Sequence, residues 1–161
     1  MPGLQLRIDL SRQRLLCCEA DRVVKSYPVS TAVNGPGEIC GSGCTPRGKH
    51  RIRLKIGNDC PENTVFVARR PTGERFNDQL AASDPARDWI LTRILWLTGI
   101  ETGKNRGGNV DTLRRFIYIH GTPEDQPMGV VASHGCIRMR NQDLIELFDR
   151  VETGTLVEIL E

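Results

Sequence analysis

Apolar and polar residues alternate with a period of two through Leu4-Gln5-Leu6-Arg7-Ile8-Asp9-Leu10, and again from His50 to Ile56. Successive side chains of an extended chain point to opposite faces, so this pattern suits half-buried strands and not one stripe of a helix. Arg14 to Glu19 follows the first run after a short polar turn, which predicts a hairpin, and Asp21-Arg22 turns the chain into a third strand, Val23 to Ser30. Thr64 to Arg69, β-branched and aromatic, predicts another strand. Ile90 to Leu97 fits a strand or a short helix, and its neighbours favour the strand. Arg114 to Ile119 is apolar on both faces and predicts a central strand; Thr155 to Leu160 predicts a closing one. Helical spacing is clear once, where Leu144, Ile145, Phe148 and Val151 form a stripe over about 141–152. Asn141 is its expected N-cap and Gly154 its stop. The expected fold is mainly β, a sandwich or open barrel with one clear helix, in a single domain spanning residues 1–161.

The connections carry the glycines and prolines. Residues 34–48 hold five glycines and two prolines and predict a loop, either a plain connector or the rim of a groove. Residues 70–88 are polar with Pro71, Gly73 and Pro85, which predicts an irregular surface excursion; residues 99–111 form a glycine-rich loop. A net charge of +2 gives no footing for nucleic acid, and the basic run from Arg47 to Lys55 is expected on the solvated face of a strand.

The first twelve residues alternate and carry Arg7, Asp9 and Arg12, with no apolar core of a leader, and nowhere do eighteen apolar residues run together. No membrane insertion and a cytoplasmic location are expected. Cys17 and Cys18 are adjacent and should point to opposite faces of a strand; Cys40, Cys44, Cys60 and Cys136 show no regular spacing. Free thiols in a reducing compartment are the simpler expectation for these six cysteines.

Chemistry concentrates in Ser133-His134-Gly135-Cys136-Ile137-Arg138-Met139, and in Ile117-Tyr118-Ile119-His120-Gly121-Thr122 upstream of it. A thiol is a strong nucleophile only as thiolate and needs a base nearby, a task suited to histidine with its pKa near neutrality. Either histidine qualifies as that base: His134 shares a face with Cys136 in an extended segment, and His120 ends the preceding apolar run. Gly135 leaves the backbone beside the thiol unencumbered, so that N–H groups can face an oxyanion. A competing use is a zinc site built from His120, His134 and Cys136, with Cys40, Cys44 or Cys60 as fourth ligand. No close cysteine pair faces a second at finger spacing, which weighs against it. A non-catalytic binding module is disfavoured by the intact His and Cys pattern.

His120-Gly121-Thr122 followed by Ser133-His134-Gly135-Cys136 resembles the signature of the L,D-transpeptidase catalytic domain, the YkuD-like family of peptidoglycan enzymes. Residues 27–52 and 105–111 resemble the family's upstream blocks in the same order, so the similarity covers nearly the whole chain. Ala32, Cys44 and Arg138 depart from the Gly, Lys and Asn that many members carry there. The resemblance implies the family's β fold, Cys136 as nucleophile and His120 as general base. It also implies that the Gly121 carbonyl orients the imidazole and that no cofactor or metal takes part. His134 then takes a supporting role, and the Gly135 N–H is an expected oxyanion donor. Arg138 is the expected contact to a substrate carboxylate, with Ser133 and Thr122 shaping the pocket and Asn109 and Asp111 pinning the preceding loop. The implied substrates are murein stem peptides, attacked at the L-to-D bond, with covalent capture by carbapenems. The cytoplasmic expectation selects an L,D-carboxypeptidase that releases D-alanine during murein recycling, and the alternative is a cross-linking transpeptidase.

Overall fold

The computed structural model describes residues 3–161; Met1 and Pro2, part of the alternating N-terminal segment, lie outside them. Its ten strands are β1 (Gln5–Asp9), β2 (Arg14–Glu19), β3 (Arg22–Ser30), β4 (Gly48–Ile56), β5 (Thr64–Val67), β6 (Arg70–Arg75), β7 (Ile90–Gly99), β8 (Tyr118–Gly121), β9 (Ile137–Met139) and β10 (Leu156–Leu160). They run in the order β4-β10-β1-β2-β3-β9-β8-β7-β5-β6, and β4 pairs with β7 as well as β10. That extra pairing, Ile52 opposite Leu97 and Ile56 opposite Ile94, closes the sheet on itself. The fold is mainly β as expected, and the barrel is closed. Closure leaves neither β4 nor β7 as a free edge, while the β5–β6 hairpin hangs from β7 through Val65–Leu91 and Phe66–Ile90 pairs.

Alternation accounts for the interior. Leu6 and Ile8 of β1, Val157 and Ile159 of β10, Ile119 of β8 and Ile137 of β9 all join one buried cluster. Each such side chain contributes roughly 1.5–3 kcal/mol by leaving water. The helix α2 (Asn141–Arg150) adds Leu144, Leu147 and Phe148 to that cluster, and Val151 just beyond it joins them. Its buried stripe therefore runs through Leu147, while Ile145 is only partly buried. The basic run on β4 lies as expected, with Lys49 and Arg51 exposed between buried positions and Arg53 exposed beside Ile52.

Cys17 and Cys18 take opposite faces as expected, across from Leu6 and Gln5 of β1 respectively, although both are buried. Several other local expectations are corrected. Residues 70–88 are not wholly irregular: β6 and the short helix α1 (Asp78–Ser83), capped by Asn77, lie within them. The strand expected from Arg114 begins only at Tyr118, since Phe116 sits at φ 57° in a turn that a β ladder does not tolerate. Asn141 does not cap α2: Arg140 occupies the N-cap without a side-chain bond, and α2 ends at Arg150. Among the described residues no helix is long and apolar enough to cross a membrane.

Candidate active site

Strands β8 and β9 are short, parallel and central, and their register builds the site. Ile119 lies opposite Ile137 and His120 opposite Arg138. Ile119, Ile137 and Met139 face the core, so Tyr118, His120, Cys136 and Arg138 share the other face. His120, His134, Cys136 and Arg138 line one cavity of about 320 Å³, walled by Phe66 and Arg69 of the β5–β6 hairpin and by Phe116. Cys136 and the upstream His120 thus open onto the same cavity.

His120 is buried, and its Nδ1 lies 2.7 Å from the Gly121 carbonyl oxygen. A carbonyl only accepts, so Nδ1 carries the proton and Nε2 keeps its lone pair. Burial holds the imidazole below its ordinary pKa, against the opposing pull of that carbonyl. Cys136 Sγ accepts from the Tyr118 N–H at 3.3 Å and donates to the Phe116 carbonyl at 3.3 Å. Burial pushes this thiol up to about 11, opposed by the Tyr118 N–H. The resting pair is thus a neutral thiol and a neutral imidazole, and no hydrogen bond joins them among the described residues.

Ser133 and Gly135 hold the turn that carries the thiol. Ser133 Oγ donates to the Cys136 carbonyl at 2.6 Å and accepts from the Gly135 N–H at 3.3 Å. The N–H expected to face an oxyanion is therefore engaged within the turn. Gly135 has φ 133°, a conformation that side chains rarely adopt, and its carbonyl accepts from Thr45 Oγ1 at 2.9 Å. The glycine-rich loop of residues 34–48 packs against this turn, and Arg115 ties it there by donating to the Cys44 carbonyl at 2.6 Å and the Gly37 carbonyl at 3.3 Å.

His134 is largely exposed, with Nδ1 3.8 Å from Asp88 Oδ2. Arg138 is buried and donates to Asp88 Oδ1 at 2.9 Å, to the Ala132 carbonyl at 3.2 Å and to Gln126 Oε1 at 3.4 Å. The residue expected to meet a substrate carboxylate already holds a protein one. Thr122 is buried, and its carbonyl accepts from Asn141 Nδ2 at 3.0 Å. Asp111 does pin its loop, its carboxylate accepting from the N–H groups of Gly107 and Arg114, while Asn109 contributes its carbonyl to the Cys40 N–H. Among the described residues no three His, Cys, Asp or Glu side chains converge as a metal site, and the set His120, His134, Cys136 does not form one.

The model of the L,D-transpeptidase catalytic domain, YkuD, matches residues 5–159. The chain belongs to this family. It is 29% identical over 156 residues to YkuD of Bacillus licheniformis, an alignment covering 96% of this chain and 64% of that one. A shorter stretch of 47 residues is 43% identical to YbiS of Escherichia coli K12, named a probable L,D-transpeptidase, and covers 29% of this chain and 15% of that protein. The fold matches an L,D-transpeptidase from Mycobacterium smegmatis with a TM-score of 0.61 at 16% identity, over 99% of this chain and 59% of that one. It also matches L,D-transpeptidase 3 from Mycobacterium tuberculosis bearing a faropenem-derived adduct, with a TM-score of 0.59 at 16% identity, over 99% of this chain and 61% of that one. The chain thus spans less than two thirds of the length of these relatives.

Three residues that the motifs did not signal also shape the site: Asp88, Asn141 and Arg115. Asp88 sits in a polar stretch with no periodicity, and Asn141 reads as a helix cap. Arg115 reads as one more strand residue.

Proposed function

We propose that the protein is a cysteine acyl-enzyme acting on the L-to-D peptide bond of murein stem tetrapeptides. The observation that carries this reading is Cys136 and His120 opening from paired strands onto one cavity, with Nδ1 of His120 committed to Gly121 and Nε2 left free. Cys136 Sγ attacks the carbonyl of the third residue while its proton passes to His120 Nε2. The oxyanion is met by the N–H groups of Cys136 and Gly135, the latter exchanging its long 3.3 Å contact with Ser133. The tetrahedral species collapses to a thioester as D-alanine leaves with the proton from His120.

Water then completes hydrolysis, making the enzyme an L,D-carboxypeptidase. Water is the acceptor always present at a cavity open to solvent. We place this activity in the cytoplasm, on soluble peptides from wall turnover; six free thiols, Cys40 exposed among them, suit a reducing compartment. A second reading is transpeptidation. A neighbouring cavity of about 330 Å³ shares Asp88, His134 and Arg138 with the first, which gives room for the amine of a second stem peptide.

Incubation with a defined tetrapeptide distinguishes the two by product mass. Tripeptide and free D-alanine support hydrolysis, a cross-linked dimer supports transpeptidation, and no product from either refutes the acyl-enzyme reading. Cys136→Ala abolishes turnover in a folded protein, and a carbapenem adduct maps to Cys136. An adduct on Cys40 or Cys60 assigns the nucleophile elsewhere.

A further inference from the structure

Arg138 is held differently from its counter-ion. Its side chain is only 9% exposed, fixed by β9 and by the Ala132 carbonyl, whereas the Asp88 side chain is 49% exposed on the segment between α1 and β7. A buried guanidinium left without an anion is costly, while a carboxylate at the rim returns to water cheaply. The pair therefore disfavours simple opening and favours exchange of one carboxylate for another. The exchange has somewhere to go, because Asp88 Oδ2 already faces the exposed His134 at 3.8 Å. Arg138 Nε is also buried and has no partner among the described residues. Asp88 takes one Nη of the guanidinium and leaves Nε unused, although a guanidinium edge can hold a carboxylate through two parallel N–H donors.

We propose that Asp88 is a specificity-determining residue that occupies Arg138 in the free protein as an internal competitor of the substrate carboxylate. This rests on the acyl-enzyme reading above. Both cavities share Asp88, His134 and Arg138, so the exchange takes place at their common wall. A peptide ending in a free carboxylate replaces Asp88 on Arg138 and satisfies Nε, and Asp88 moves toward His134. A peptide whose terminus is a carboxamide brings no anion and leaves the Asp88–Arg138 pair closed. Discrimination for the free acid follows from what the ligand must displace, and the intrinsic hold of Arg138 on carboxylates is stronger than the wild type displays.

The test measures binding to the Cys136→Ala protein, which cannot turn over, with and without Asp88→Asn. The probes are the tetrapeptide free acid and its C-terminal carboxamide. Asp88→Asn keeps the shape and an acceptor for Arg138 but removes the competing charge. It should tighten the free acid by about tenfold, equivalent to about 1.4 kcal/mol, and move the carboxamide by less than about twofold. Weaker binding of the free acid, or equal shifts for both peptides, overturns the inference and makes Asp88 a prop for Arg138. If Asp88→Asn does not fold, the carboxyl carbon resonance of Asp88 is followed in the Cys136→Ala protein. Its movement with the free acid alone supports the exchange, and no movement refutes it. Release of D-alanine by the wild type reports on the acyl-enzyme reading separately. Cleavage with unaltered discrimination in Asp88→Asn sinks only the Asp88 inference, and a wild type that binds neither peptide sinks both.

Discussion

A neutral thiol beside a neutral imidazole sets the terms for any reaction at Cys136. With the thiol pushed up to about 11, little thiolate exists near neutral pH, so a base must take the proton as substrate arrives. His120 is placed for that by its tautomer, and His134, largely exposed and facing Asp88, is not. His120→Ala should therefore lower kcat/KM for D-alanine release by about 10²–10⁴-fold, the range of a positioned acid–base residue. His134→Ala should cost less; equal or reversed losses in folded variants move the base role to His134. The acid limb carries a sign as well. A base must be unprotonated, and burial holds His120 below the ordinary histidine value, so kcat/KM persists as pH falls to about 6.5 and is lost only below it. An acid limb above that value in the kcat/KM profile contradicts the assignment. Gly121 supports the same imidazole by being small. A Cβ there would collide with Asn141 Oδ1 and the Leu91 carbonyl, which explains why the residue after the histidine has no side chain.

Between elements, one buried amide joins the histidine strand to its surroundings. Asn141 Nδ2 donates to the Thr122 carbonyl at 3.0 Å, and Asn141 Oδ1 accepts from Thr92 Oγ1 at 2.7 Å. Thr92 lies at φ 77°, in the register shift of β7 opposite β8, an uncommon conformation for a β-branched residue. The first residue of α2 thus fastens the end of β8 to an irregular part of β7. Asn141→Ala should destabilise the fold by about 1–3 kcal/mol for each buried group left unpaired, read as a lower urea midpoint. It should also lower kcat/KM, since His120 sits two residues before the released carbonyl; a loss of stability with full activity argues against a positioning role. The same amide marks what the sequence could show. Cys136, His120 and Gly121 were legible because their motifs are contiguous and their spacing follows the strands. The long alternating strands were legible for a similar reason, each burying one whole face. Asn141 carries its information in three dimensions, through partners on β7 and after β8, so its position at a helix start suggested only a cap. Asp88 and Arg115 act from segments remote in sequence from the thiol. Elements β6 and α1 leave little signal in the sequence because they are short and bury little, and the closure of β4 on β7 depends on pairings that no local pattern encodes.

At the scale of the whole barrel, the seam closed by β4 contains a histidine outside the lining of the candidate site. His50 lies between Gly99 of β7 and Val157 of β10, fully buried. Its Nδ1 lies 3.0 Å from the Gly48 carbonyl and its Nε2 3.0 Å from Thr112 Oγ1, in the segment leading to β8. With Nδ1–H donating to the carbonyl, Nε2 of the neutral ring accepts from the threonine hydroxyl, and burial is what favours that neutral form. Burial lowers the pKa of His50 to about 4, and the bond to Gly48 only partly offsets this. The unfolded chain takes up a proton near the ordinary value of about 6.5. Between the two values the unfolded state binds more protons than the folded one, so stability rises with pH. The contribution is fully present above about 6.5 and is lost as pH falls toward about 4, amounting to about 3 kcal/mol over the window. Buried His120 shifts in the same direction and adds to the slope. Urea unfolding of the wild type should therefore weaken steadily from pH 6.5 to 4, and His50→Gln, which cannot titrate, should show a shallower decline even if less stable at neutral pH. An identical slope in the two proteins would place the acid sensitivity elsewhere. Because Thr112 precedes the strand that delivers His120, acid that opens this seam should also cost activity beyond the loss from His120 protonation, read as D-alanine release by the wild type falling more steeply below pH 6.5 than that of His50→Gln, which shares His120.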